Sequence, residues 1–328
     1  MVPQLTAATD VPVTDVSVSF LINDGAFRGR FVRLTGAVTE IQQRHDDPAA
    51  VGALLAEALV SAIALAGGLK YDGVFTLQIQ GDGPVHMLIT DVTSDGHVRA
   101  CAKFDAERLA AEMGRTRPGN LPPHLLGAGH LAFTVDQGPD TERYQGIVEL
   151  SGDKLSESVH RYFRQSEQLE SALKVAIGAP APGAGGPWSA AALLIQRMPE
   201  EGAGRSHIPR EDLEDDWRAA VILLGSMKDA ELLDPSLAPL QVVHRAYGSV
   251  GARLVEVRPI AAVCRCSRAK SSRILASFPI EEVRNLSDHG AVRMTCEFCR
   301  SVYTFTLEEL ESVARESRPS PQETGDPS

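Results

Sequence analysis

Four cysteines in the last quarter of this 328-residue chain fall into two tight pairs, Cys264-Arg265-Cys266 and Cys296-Glu297-Phe298-Cys299, with 29 residues between the pairs. Each pair sets two thiols on one short turn. Folding the intervening chain back brings four sulfurs around a borderline-soft divalent ion, which is the chemistry of a tetrahedral Zn2+ site. Four thiolates leave no coordination position for water, so such a site is structural rather than hydrolytic. The pairs are also near enough in sequence to close into two disulfides under an oxidant, so the thiols have a second use as a redox sensor. On spacing alone, a permanent structural knuckle and a redox switch both stay open. A thioredoxin-like dithiol is disfavoured, because Cys296 lies between two apparent strands instead of opening a helix.

The residues around the thiols support a metal more than a reaction. Arg265, Arg268, Lys270 and Arg273 crowd the first pair, and a zinc ion with four thiolates carries a charge of about -2 that such cations would compensate. The fifth thiol, Cys101, shares its face of an alternating strand with Arg99 and Lys103 and reads as a packed small residue. The motifs H-E-x-x-H, G-x-S-x-G and the P-loop are missing, and the nine histidines are scattered, so an enzyme is poorly supported. Gly81-Asp82-Gly83 is followed by a strand pattern, not by a helix offering its N-terminus to a phosphate. A formal net charge of -11 repels a phosphate backbone, which argues against a nucleic-acid partner.

The elements that must position the thiols follow from hydrophobic period and turn residues. Val16 to Ile22 and Phe27 to Leu34 alternate around Asn23-Asp24-Gly25, and Val74 to Ile79, Val85 to Val92 and Val98 to Phe104 form a meander with glycine turns. Leu131 to Asp136, Tyr144 to Leu150, a period-two run through Leu169, Leu173, Val175 and Ile177, and Ala190 to Arg197 are further strands. A helix capped by Asp47, with Pro48 in its first turn, carries Leu54, Leu55, Ala58, Leu59, Ala62 and Ile63 on one stripe and stops at Gly67-Gly68. Its core, Val51 to Leu65, is interrupted by Glu57 and reads as too short and too polar to span a bilayer. Asp105 to Met113 is a short capped helix, and Leu155, Val159 and Phe163 mark another. The segment Met1 to Asp15 lacks a basic and an apolar export region, so a reducing cytoplasm is expected.

Beyond Pro199 the pattern changes. Seven acidic residues fall between Glu200 and Asp216, and Leu213, Trp217, Ala220, Val221 and Leu224 share one face of an amphipathic helix. That stripe must be buried on something, and would expose apolar surface if its partner were lost. Ala230 to Leu233 and Leu237 to Tyr247 read as shorter helices. The expected fold class is α+β: a flexible lead (1–15), an amino-terminal α/β domain with antiparallel sheets and helices (16–199), an acidic helical linker (200–250), a small zinc-binding domain (251–315) and a disordered tail (316–328). Thr306 and Glu309 are spaced as a capping box for the last helix. A module of this size buries little core, so a bound metal would supply much of its folding energy.

These stretches, in order, resemble one family. Arg28-Gly29-Arg30-Phe31-Val32-Arg33-Leu34, Leu77-Gln78-Ile79-Gln80-Gly81-Asp82-Gly83-Pro84, Thr93-Ser94-Asp95-Gly96, Tyr144-Gln145-Gly146-Ile147-Val148, Tyr162 to Gln168, Leu193 to Arg197 and the two cysteine pairs are similar to the heat shock protein 33 family of redox-regulated holdase chaperones. The resemblance implies that Cys264, Cys266, Cys296 and Cys299 bind one Zn2+ when reduced, and that oxidation forms the disulfides Cys264 to Cys266 and Cys296 to Cys299. It further implies release of zinc, unfolding of the last domain, undocking of the linker around Leu213, Trp217, Val221 and Leu224, ATP-independent holding of unfolding clients, and a dimeric active form. Arg300 departs from the family, where a small residue such as glycine is expected. A zinc-ribbon adaptor or nucleic-acid module with a permanent metal is the alternative.

Overall fold

The computed structural model describes residues 13–69, 71–115, 125–138, 141, 144–150, 155–162, 170–181, 185–198 and 210–316. The expectations for residues 1–12, for Phe163 and Leu169, for the stretch 199–209 and for the tail 317–328 lie outside them. The chain divides into two compact units, Met1–Val263 and Cys264–Ser328.

In the first unit, β1 (Val16–Ile22) and β2 (Phe27–Leu34) form a hairpin, followed by α1 (Gly36–His45) and α2 (Ala49–Ala66). Then come β3 (Val74–Gly81), β4 (Val85–Thr93), β5 (His97–Phe104), α3 (Ala106–Arg115), β6 (Gly129–Asp136), β7 (Tyr144–Glu149), α4 (Leu155–Tyr162), β8 (Ser171–Gly178) and β9 (Ser189–Arg197). The segment expected to be a helical linker holds α5 (Arg210–Ser226), α6 (Asp229–Leu233) and α7 (Pro239–Tyr247), all within the first unit, and β10 (Arg253–Pro259) and β11 (Ala261–Ala262) end the unit. One sheet has the order β10-β1-β2-β9-β8, with every neighbouring pair antiparallel. The other has the order β11-β5-β4-β3-β6-β7, antiparallel except for the short pairing of β11 with β5.

Alternation decides which way each strand faces. Val32 and Leu34 of β2 and Ala190, Ala192 and Leu194 of β9 point into a core built around α2. Phe27 and Phe31, with Ala191, Leu193 and Ile195, point into a second core beneath the linker helices. A strand buried on both faces reads as a continuous apolar run, as Ala190 to Ile195 does. Helix α2 meets the usual length and hydropathy of a membrane span, with mean hydropathy 2.1, contrary to the expectation that it is too short and too polar; 78% of it is buried inside the fold, where it serves as the core helix. Its C-terminal carbonyls are met by the buried Arg30 guanidinium, which donates to Ala64 O at 2.7 Å and to Gly67 O. Burial pulls the pKa of Arg30 down to about 9.

Several expectations are corrected. Helix α1 carries no strong local signal because its cap is remote: the Asp15 carboxylate accepts from Thr35 N, Gly36 N and Ala37 N. Asp15 O also accepts from Ile260 N, so this end of the expected flexible lead is tied into the fold. The N-cap of α2 falls at Pro48, without a side-chain cap, rather than at Asp47. Strand β10, expected to open the zinc domain at residue 251, pairs with β1 from Val16↔Pro259 to Leu21↔Arg253, and the second unit begins at Cys264. An alternating strand looks the same in sequence whichever sheet it joins, and its partner here lies more than 230 residues upstream.

Candidate metal centre

The second unit is small. It holds α8 (Arg268–Ala276), α9 (Ile280–Asn285), the hairpin β12 (Ala291–Thr295) and β13 (Val302–Thr306), and α10 (Leu307–Glu316). Among the described residues its core contains five buried apolar side chains, Leu275, Val283, Val292, Phe305 and Leu310. The expected capping box is present: Thr306 N donates to Glu309 Oε2 at 2.9 Å and Glu309 N donates to Thr306 Oγ1 at 3.2 Å. Ser267 caps α8 by accepting from Lys270 N.

The two cysteine pairs flank these elements. Cys264 and Cys266 lead into α8, and Cys296 and Cys299 form the turn of the β12–β13 hairpin. All four are free thiols, and their sulfurs lie within 4.8 Å of one another. Cys264 Sγ is 3.7 Å from Cys296 Sγ, and Cys266 Sγ is 3.4 Å from Cys299 Sγ. Metal–sulfur bonds of about 2.3 Å in a tetrahedron put the sulfurs about 3.8 Å apart, so the donor set fits one ion bound by both pairs together. These residues are positioned to hold a metal ion.

The turn between the second pair is closed by Arg300 N donating to Cys296 O and Cys296 N donating to Ser301 O, each at 2.9 Å. Arg300 adopts φ +59°, a left-handed conformation. That conformation favours glycine, which accounts for the small residue expected there; this chain accommodates arginine with the turn intact.

Hydroxyls complete the surroundings. Tyr303 Oη lies 3.1 Å from Cys266 Sγ and Ser301 Oγ 3.2 Å from Cys299 Sγ. The sequence reading did not single out either, although both follow Cys299 within four residues. Burial pushes the Cys266 thiol up to about 12, against the pull of Tyr303, and raises Cys296 as well. At Cys299 burial also disfavours the thiolate, but hydrogen bonds from the Ser301 side chain and backbone outweigh it and bring the thiol down to about 6. Three of the four basic residues expected to compensate the sulfurs make hydrogen bonds to other groups. Arg268 donates to Thr304 O and to both Glu309 carboxylate oxygens and lies 4.4 Å over the Phe305 ring. Lys270 and Arg273 donate to the carbonyls of Arg265 and Ala269. Cys101 is 4% exposed on β5, a packed residue as expected.

The candidate client residues lie in the first unit, on the inner side of α5. Trp217 and Leu224 are buried, and Leu213 and Val221 are partly buried against the same core. The Trp217 ring stands 5.4 Å from Phe27 of β2. Polar contacts hold the helix at its edges: Asn23 Nδ2 donates to Asp216 Oδ2 and Arg197 pairs with Glu214, both at 2.6 Å.

Fold and site together define an α+β protein of two units, the smaller carrying four cysteines positioned to hold a metal ion. The family model described as Hsp33 protein matches residues 15–306. The 33 kDa chaperonin of Caulobacter vibrioides is 36% identical over 90% of this chain and 96% of its own length, and that of Pseudomonas fluorescens is 32% identical over 92% and 94%. The crystal structure of the heat shock protein 33 homolog of Thermotoga maritima shares the fold, with TM-score 0.75 over 92% of this chain and 98% of that one at 22% identity. The chain belongs to the Hsp33 family, whose relatives named here are chaperonins rather than enzymes.

Proposed function

We propose that this protein is a redox-switched, ATP-independent holdase of the cytoplasm, with Cys264, Cys266, Cys296 and Cys299 as the ligands of one zinc ion in the reduced state. The reading is carried by one observation: four thiol sulfurs converge within 4.8 Å on a unit whose core, among the described residues, holds five buried apolar side chains. A bound zinc ion supplies folding free energy, about 10 to 16 kcal/mol in small thiolate modules.

Oxidation acts on the ligands. Cys264 joins Cys266 and Cys296 joins Cys299; each new S–S bond releases two electrons to the oxidant, and a hydrogen peroxide that accepts them together with two protons from solvent leaves as two waters. Sulfurs tied in disulfides no longer serve as thiolate ligands, and the folded unit loses the stabilisation that ligand binding gave it. The chain runs from β10 through Val263 directly into Cys264, so the proposed unfolding has to strip β10 from β1 before it reaches the helices that precede it. Undocking then frees the stripe of Leu213, Trp217, Val221 and Leu224, together with the sheet face of Phe27, Phe31, Leu193 and Ile195 that it covers. This apolar surface holds unfolding clients, in a form proposed to be dimeric.

The test compares reduced, zinc-loaded protein with protein treated with peroxide at mild heat, following zinc release with a chromogenic chelator and the aggregation of a chemically denatured client by light scattering. Suppression should appear as zinc leaves. Zinc release without any suppression overturns the assignment.

A further inference from the structure

The linker touches the first sheet through apolar side chains and through one buried cation. Arg33 follows Phe27 and Phe31 on the linker-facing side of β2, and it is 1% exposed. Its guanidinium lies 5.1 Å over the Phe31 ring. Nε donates to Leu232 O at 2.8 Å, Nη1 to Leu237 O at 2.6 Å and to Val13 O at 3.3 Å, and Nη2 to Glu231 O at 3.4 Å. These acceptors are all main-chain carbonyls, and three belong to the linker around α6.

A buried guanidinium is ordinarily matched to a carboxylate, whose geometry its fork fits. Here the fork receives groups that any polypeptide carries. The sheet face therefore meets its present occupant largely through two features without sequence, apolar side chains such as Trp217, Leu224, Leu232 and Tyr247 and backbone carbonyls, with the Asp234 carboxylate adding its charge nearby. An unfolding client offers the same two features.

We propose that Arg33 is the polar anchor of the client-binding face, and that on linker release its guanidinium takes main-chain carbonyls of an unfolded client in place of those of Leu232 and Leu237. The linker is then an internal competitor for the site. This inference rests on the holdase reading above and adds the chemistry by which that surface receives clients. It also explains a charge in the middle of an apolar face: a purely greasy surface would bind collapsed side chains but leave the client backbone carbonyls it covers without donors, which costs free energy.

The experiment uses the full chain, oxidised until zinc release is complete, and a reduced, carboxymethylated, permanently unfolded protein as probe, with affinity read by fluorescence anisotropy. Losing charge-assisted bonds to carbonyls in Arg33→Met should weaken probe binding about tenfold. Arg33→Lys, which keeps a charge but not the fork, should fall between the two. Hydrogen exchange across residues 229–247 in the oxidised proteins separates this role from linker capping, because a residue that only capped α6 would leave the affinity of the undocked form unchanged. Equal affinity of wild type and both variants overturns the inference while leaving the holdase reading intact. Absence of probe binding by the oxidised wild type overturns the holdase reading, and this inference falls with it. If Arg33→Met does not fold, Arg33→Lys alone decides, through an affinity reduced or unchanged.

Discussion

Replacing Trp217 with alanine is expected to loosen the linker in the reduced protein, before any oxidant acts. Trp217 is 8% exposed, packs on Phe27 at 5.4 Å and shares its face of α5 with Ala220 and Leu224. Truncating a buried aromatic costs about 3 to 5 kcal/mol; at the rim of the core the lower figure, about 3 kcal/mol, applies. That multiplies the undocked population by about 150, since each 1.4 kcal/mol is a factor of ten. Hydrogen exchange of zinc-loaded protein under reducing conditions is the assay. Amides of α5 and α7 should exchange faster by about two orders of magnitude, and those of β12 and β13 should not change. Suppression of client aggregation without peroxide should rise in parallel. Less than about a tenfold change across α5 and α7 would refute the view that this stripe holds the linker down.

Arg300→Gly removes a side chain from a left-handed position and should stabilise the metal-bound unit by about 1 kcal/mol, read as slower zinc loss to a competing chelator. Thr306→Ala breaks the capping box and should cost about 1 kcal/mol, seen as faster exchange of the α10 amides, with the linker amides unaffected. Metal retention should fail on acidification. The Cys299 thiol is already held down at about 6, so its charged form contributes stability above the ordinary thiol value that is lost as pH falls through about 6. Protons compete with the metal for the sulfurs, at Cys266 and Cys296 from higher pH and at Cys299 only on approach to about 6, so a chelator titration should show zinc affinity falling throughout as pH drops and most steeply below about 6; a flat profile from pH 7 to 5 would count against thiolate ligation.

Local signals in the sequence were enough for most strands, because period-two alternation and glycine turns bound β1 to β5 closely, and enough for the capping box at Thr306 and Glu309. The four cysteines were legible as one site because each pair carries its own turn. What escaped was set by distant partners. Helix α1 is capped by Asp15, about 20 residues away, and β10 belongs to the first sheet through β1 rather than to the unit that follows it. Nothing local marks Arg33 as buried, because the carbonyls that receive it, those of Leu232 and Leu237, come from far along the chain. Tyr303 and Ser301 were overlooked because single hydroxyls near cysteines carry no spacing rule, and their roles depend on how the hairpin turns them toward the sulfurs.

The central claim is that ligation of four sulfurs keeps the last unit folded. Its most direct test is a peroxide titration of the reduced protein, in which released zinc, disulfide bonds located by mass spectrometry and hydrogen-exchange protection over residues 264–316 are measured on the same samples. The account predicts one zinc per chain, lost in step with that protection as the bonds Cys264–Cys266 and Cys296–Cys299 form. A reduced protein without metal, or a unit that stays protected after both bonds have closed, would contradict it.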